Sequence, residues 1–290
     1  MSSRAFTAPP ESPTDAQRSA LIKLLMDEDA AVYQTIRSKI LSYGHQASHW
    51  LRPHTLSSDP VLRRRAQEII HYLARGNSDD EFLAFCLNQG EAFDVEEGAW
   101  LLARTQYPDI NVEAYRALLD SYAGELLEQI DFAAPSKKIL EVINQFLFSE
   151  LRFSGNEENY YDPDNSYLNR VFDRRTGNPI SLCLVYIFVA RRLQLPVAGI
   201  GMPGHFLCRF QSPTEEIFID AFNRGRFLSK ADCIKYLRTA GHEPREDFLG
   251  PVSSRRILLR VCSNLHRTYG ELGLTDEVSR LQRYVIALSR

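Results

Sequence analysis

The chain has 290 residues, 44% of them hydrophobic, and its 34 Lys and Arg stand against 37 Asp and Glu for a formal net charge of −3. That length and apolar content support two or three packed units, and the near-neutral balance gives no electrostatic reason to expect a nucleic-acid or membrane-surface partner. Cys86, Cys183, Cys208, Cys233 and Cys262 are 25 residues or more apart with no C-x-x-C pair, a pattern of reduced thiols rather than a disulfide framework or structural zinc site.

The first twenty residues hold no apolar signal core, and no apolar run reaches the ~18 residues of a membrane span, so a cytoplasmic protein with a disordered or frayed tail over residues 1–19 is expected. Residues 20–148 read as all-α. Leu21, Leu24, Leu25, Val32, Ile36 and Ile40 recur at helical spacing, as do Leu62, Ala66, Ile70 and Leu73. At an offset of 30, Asp29 aligns with Asp59, Val32 with Leu62 and Ile40 with Ile70, each acid placed to cap the helix that follows. The pairing resembles HEAT-type helical repeats, which bury their faces by stacking on neighbours. Helical pattern continues over Glu81–Leu87, Val95–Arg104 and Val112–Ile130, punctuated by Pro108 and Pro135. Arg63, Arg64 and Arg65 read as a solvated helix face. His45 and His49 share a helix face with His54 nearby, but spacing brings no third ligand, and no metal site is assigned.

The texture changes after about Phe148. The polar, turn-rich segment from Asn156 to Asn178 has the composition of a loop that covers a site. Asn178 then offers a helix cap and Pro179 suits the first helical position. The helix runs through Ile180, Leu184, Ile187 and Leu193, is stopped by Pro196, and is apolar nearly all round, as a buried central helix is. VAGIGM, HFLCRF and EIFIDAF follow as antiparallel strands, separated by Pro203-Gly204 and Ser212–Glu215. Beyond them, Ile257, Val261, Leu265 and Tyr269 form one helical stripe and Val278, Leu281, Val285 and Leu288 another. Gly270–Gly273 breaks the two, and Thr275 is placed to cap the second. The fold class is α+β: a helical N-terminal region over 20–148, a central α+β domain with an antiparallel sheet over 149–240, and a C-terminal helical hairpin of tetratricopeptide size over 241–290.

The order of a helix opening near Gly177, then ARRLQLPV, then Pro203-Gly204-His205-Phe206, then Ile219-Asp220 resembles the transglutaminase-like superfamily. There, a cysteine at a helix N-terminus, a strand histidine and an acid on the next strand form a papain-type triad. The stretches YYDPDNSYLNRVF, DRRTGNPISL, PGHF and DAFNRGRFLS resemble its bacterial SirB-type branch, whose members often end in a tetratricopeptide-like segment. The resemblance implies His205 as the histidine and Asp220 as the acid that fixes its tautomer.

At the nucleophile the pattern departs. The place of the superfamily cysteine is taken by Pro179, and Cys183 comes four residues later, on roughly the same face but past the first turn, where the helix dipole lowers a thiol pKa. Cys183 reads as a small buried hydrophobe or as a displaced nucleophile. Ser181, nearer the helix start, reads as a first-turn backbone partner or as a hydroxyl nucleophile. Cys208 shares its side of a strand with Phe206 and reads as core. Arg174, Arg175 and Asn178 on one rim, with Asn223, Arg224 and Arg226 on the other, suit an anionic or amide-bearing ligand.

Two functions stay open. One is a degenerate Cys/His/Asp-type site that binds a protein or peptide partner through the cleft and the flanking helical repeats. The other is a thiol or serine acyl-transfer enzyme or amide hydrolase acting on protein side chains through His205 and Asp220. No cofactor is called for, since Gly201 and Gly204 belong to no phosphate-cradling motif, and no oligomeric state is specified.

Overall fold

The computed structural model describes residues 12–290. The expected frayed tail of residues 1–19 therefore lies, up to residue 11, outside the described residues, and from Asp15 the chain is helical. The chain divides into two compact units, one holding residues up to Glu81 with Arg104–Asp109, the other Phe82–Ala103 with Ile110–Arg290.

The first unit is built from α1 (Asp15–Leu25), α2 (Ala30–Leu41), α3 (His45–Leu51) and α4 (Pro60–Asn88) as far as Glu81. Asp29 Oδ1 accepts the main-chain N–H groups of Ala31 and Val32 at 2.7 and 3.4 Å, and Asp59 Oδ1 those of Val61 and Leu62 at 2.8 and 2.9 Å. Both acids thus satisfy donors that a helix start leaves open. Leu25, Ile40, Leu51, Leu62 and Ile69 close the core. The stretches read separately at Leu62–Leu73 and Glu81–Leu87 are one continuous helix, because no proline interrupts residues 61–88 and the single Gly76 is tolerated. The His45 and His49 rings meet edge to face at 5.1 Å, and His45 Nδ1 lies 3.3 Å from the Asn77 amide. Among the described residues no group of three or more His, Cys, Asp or Glu gathers as a metal-ligand set.

The second unit is α+β. Its helices are α5 (Val95–Gln106) up to Ala103, α6 (Val112–Gln129), α7 (Ser136–Asn144), α8 (Leu168–Arg174), α9 (Pro179–Arg192), α10 (Lys230–Thr239), α11 (Ser254–Glu271) and α12 (Thr275–Leu288). A short parallel pair, β1 (Ser154–Gly155) and β2 (Thr176–Gly177), leads into α9. The main sheet is an antiparallel meander of β3 (Val197–Ile200), β4 (Leu207–Gln211), β5 (Glu216–Asp220) and β6 (Arg226–Leu228). Its register pairs Gly199 with Cys208, Cys208 with Ile219 and Asp220 with Arg226.

Helix α9 is the centre. Asn178 Oδ1 accepts the Ser181 N–H at 3.0 Å while Ser181 Oγ accepts the Asn178 N–H at 3.0 Å, a reciprocal cap with Pro179 at the first helical position. Eleven of its fourteen residues are buried, so the helix has no solvent face, and it packs on β3 and β4. The polar segment before it is not all loop: α8 lies within it, its Val171 and Phe172 both buried and the Phe172 ring set against those of Phe153 and Trp100.

The C-terminal hairpin of α11 and α12 packs into this unit. Buried Arg255 donates to the carbonyls of Cys86 and Gln89, at the end of α4, and to that of Ala287, at the end of α12. One guanidinium thereby satisfies the open carbonyls of two helix C-termini. Thr275 is the first residue of α12 rather than its cap; Leu274 precedes it with no side-chain hydrogen bond. Among the described residues no helix is long and apolar enough to cross a membrane.

Candidate functional site

The loop from β3 to β4 presents His205. Pro203 and Gly204 occupy the centre of a turn closed by the His205 N–H on the Met202 carbonyl at 3.2 Å, and Gly204 has φ +75°, the residue order of a type II turn. Glycine is needed there for φ, and a Cβ on Gly204 would stand 3.0 Å from the Tyr236 hydroxyl, close enough that the phenol would have to give way.

Asp220 ends β5 beside it. His205 Nε2 lies 3.0 Å from Asp220 Oδ2, the side chains 14% and 7% exposed. The turn after β5 secures the acid: Asn223 gives its amide to Oδ2 at 2.8 Å and its main-chain N–H to Oδ1 at 3.2 Å, and the Gly225 N–H closes on the Asp220 carbonyl at 2.8 Å. Gly225 takes φ +73° with Asn144 packed against it, and Asn144 donates to its carbonyl at 2.7 Å. Burial pushes the Asp220 carboxyl up, but the hydrogen bond and charge of His205 and the two Asn223 bonds outweigh it and hold its pKa below the usual carboxylate value. The acid holds Nε2, and among the described residues Nδ1 of His205 has no hydrogen-bond partner.

The histidine faces a cleft with two lobes. The larger, about 590 Å³, is lined by Met202, Phe222, Leu228, Tyr236, Asn223 and Arg226, among others, and the smaller, about 340 Å³, by Tyr161, Asn178, Arg260, Asn264 and Arg267 with their neighbours. Tyr160, Pro179, Gly204 and His205 line both. The N-terminus of α9 thus reaches the cleft beside the imidazole, and the residue it brings there is proline.

Neither of the side chains weighed as nucleophile lines either lobe. Ser181 is buried, and its hydroxyl donates to the Asn165 carbonyl at 2.6 Å within the α9 cap. Cys183 is fully buried, its thiol 3.5 Å from the Phe206 carbonyl, and Cys208 in turn donates to the Cys183 carbonyl at 3.6 Å. Burial, followed by contact with Cys208 and the charge of Asp220, pushes the Cys183 thiol well above its ordinary pKa, away from the thiolate that attack requires.

The pattern of the transglutaminase-like superfamily matches residues 113–263, more than half of the chain. The protein belongs to the transglutaminase-like superfamily. A "UPF0162 protein" of Xylella fastidiosa is 37% identical over 204 residues, covering 68% of this chain and 73% of that protein. A "UPF0162 protein" of Vibrio cholerae is 28% identical over 162 residues, covering 56% of this chain and 59% of that protein. The "F-box only protein 21" of Homo sapiens is 29% identical over 230 residues, covering 69% of this chain but only 36% of that protein. No solved structure matches.

The remaining site residues of this transglutaminase-like chain divide by position. Asn223 and Arg226 line the larger lobe and Asn178 the smaller, though the Asn178 side chain is spent on the α9 cap and on Ser166 Oγ at 2.9 Å. Arg175 lines neither lobe. Its guanidinium lies 4.9 Å over the Phe153 ring and 5.4 Å over that of Tyr122, whose hydroxyl it also meets. Arg174 pairs with Asp162 at 2.7 Å and Asp164 at 3.4 Å. Sequence reasoning passed over Tyr160, Tyr236 and Arg260. Arg260 sits on the polar side of a helix read only for its apolar stripe, and nothing in its spacing distinguishes it from a solvated arginine.

Proposed function

We propose that this is a SirB-type transglutaminase-like protein with a degenerate site, which holds a protein or peptide segment in the cleft beside His205 without turning it over. The observation that carries this reading is Pro179 on the wall of both lobes, at the start of α9, with the Cys183 thiol and Ser181 hydroxyl each directed to a main-chain carbonyl. An imidazole–carboxylate pair raises the basicity and fixes the orientation of His205, but papain-type acyl transfer also needs an attacking atom within hydrogen-bond reach of the ring. A retained His205–Asp220 pair without one still offers a fixed hydrogen-bonding group to a bound amide. The helical region before the domain, read as HEAT-like, and the tetratricopeptide-like hairpin after it supply further surface for a partner.

The second reading, acyl transfer or amide hydrolysis on protein side chains, rests on the same His205–Asp220 pair at 3.0 Å. A peptide array probed with the full chain, run beside turnover assays on glutamine peptides with an amine acceptor, aryl amides and thioesters, separates the two. The expected result is selective peptide capture that Tyr236→Ala weakens, with no turnover. Turnover that His205→Ala abolishes would overturn the binding reading in favour of catalysis.

A further inference from the structure

We infer that the smaller lobe takes the terminal carboxylate of a peptide, with Arg260 as its main partner and an apolar C-terminal side chain seated in the adjoining larger lobe. This rests on the peptide-binding reading above and names the chemistry of the ligand.

Arg260 is the unusual group. It is half-buried on α11 and donates to the His205 carbonyl at 3.1 Å, with the Phe206 ring 6.0 Å from its guanidinium. Among the described residues it forms no ion pair with a carboxylate, in contrast to Arg191 and Arg192, which share Glu96, and to Arg255, which spends its donors on three carbonyls. A guanidinium carries five N–H donors in a planar fork, and taking it out of water is favourable only when an anion or several acceptors replace the water. Burial accordingly lowers the Arg260 pKa, against a smaller opposing effect of the Tyr160 and Tyr236 phenols.

The surroundings favour one negative charge. Asn264 and Arg267 follow Arg260 at i+4 and i+7 on the same face of α11 and line the same lobe. Arg267 is partly committed, to Glu271 at 3.4 Å and the Tyr161 hydroxyl at 3.3 Å. The first turn of α9 brings the positive end of its dipole to this wall. The lobe has one carboxylate of its own, Asp162, and this is held by Arg174 at 2.7 Å, while the carboxylate facing His205 is Asp220. The resulting excess suits a monoanion better than a phosphate dianion, which Asp162 would repel. Next to it, Met202, Phe222, Leu228 and Tyr236 give the larger lobe an apolar wall, with Tyr160, Pro179, Gly204 and His205 shared between the two. A C-terminal residue carries its carboxylate and its side chain on one Cα, which suits two lobes that share four wall residues.

The probes are N-acetyl-phenylalanine, its carboxamide and inorganic phosphate, titrated into the full chain and followed by ¹H–¹⁵N chemical shifts, including the Arg260 Nε–H. The acid is expected to bind at least about ten-fold more tightly than the amide, the size of a charge-assisted bidentate pair. Arg260→Lys is expected to remove most of that preference by weakening the acid far more than the amide; a variant that only disturbed the fold would weaken both equally. Equal binding of acid and amide, saturable binding of phosphate tighter than of the acid, an unchanged preference in Arg260→Lys, or no saturable shift with any probe would each overturn the proposal. Turnover of acyl substrates by the wild type would sink the binding-only reading yet leave the acid-over-amide preference standing, so the two failures are distinguishable.

Discussion

Proline has no N–H and holds φ at about −65°, so at the first position of α9 it sacrifices no hydrogen bond and starts the helix well. It also puts three ring carbons where a thiol at that position would meet both His205 and the positive end of the helix. Pro179→Cys is therefore expected to create a reactive thiol in a protein whose five native cysteines are all buried. Iodoacetamide at neutral pH should modify one site in the folded variant, about ten-fold faster than in Pro179→Cys/His205→Ala, while the wild type stays unmodified. Equal rates in the single and double variants would separate the α9 start from the imidazole. Asp220 offers a second test. Its carboxyl pKa is depressed in the folded chain, so the stability it contributes is present above the unfolded value of about 3.9 and is lost as pH falls through the lower folded value. Thermal melts of wild type and Asp220→Asn from about pH 7 to about pH 3 should show a gap that narrows only in the most acidic samples. A gap independent of pH would mean that the carboxylate's charge contributes nothing.

At the scale of elements, α9 shows why one part of the fold was legible and Arg255 why another was not. Asn178, Pro179, the apolar run and the closing Pro196 are local signals, and the helix spans Pro179–Arg192 as they dictate. Three of the four strands of the meander, β3, β4 and β5, were legible for the same reason, from alternation between Pro-Gly and Ser-rich turns, whereas the three-residue β6 was too short to register; His205, read as part of a strand, lies in the loop just before β4, where the meander sets it beside Asp220. By contrast α10 (Lys230–Thr239) carries a Ser229–Asp232 capping box in plain view but buries only Cys233 and Leu237, too short an apolar stripe to register. Arg255 looks like a surface residue in the run Ser254-Arg255-Arg256, and only the folded chain shows it capping α4 and α12. Arg255→Met is expected to cost about 3 kcal/mol of unfolding free energy by chemical denaturation, because the buried carbonyls of Cys86 and Ala287 and the half-buried one of Gln89 lose their donor. Exposed Arg256→Met should stay within about 0.5 kcal/mol, and equal effects would remove the capping role.

At the scale of the whole molecule, composition and period were enough for the α+β class, because helical stripes and alternating strands occupy different stretches of the chain. The shape of the cleft was not legible, since its walls come from the turn after β3, the start of α9, the Tyr160 segment, α10 and α11, and no local pattern links them. The long reach of α11 also sets an order of events during synthesis. Arg255 meets carbonyls 169 and 166 residues earlier in the chain, and Arg260 supports the His205 carbonyl from 55 residues downstream. Contacts of such separation form late, after the loop between them has closed. A nascent chain halted before Ser254 thus has the α4 terminus uncapped and the His205 loop unsupported, and the smaller lobe of its cleft lacks the wall that Arg260, Asn264 and Arg267 supply.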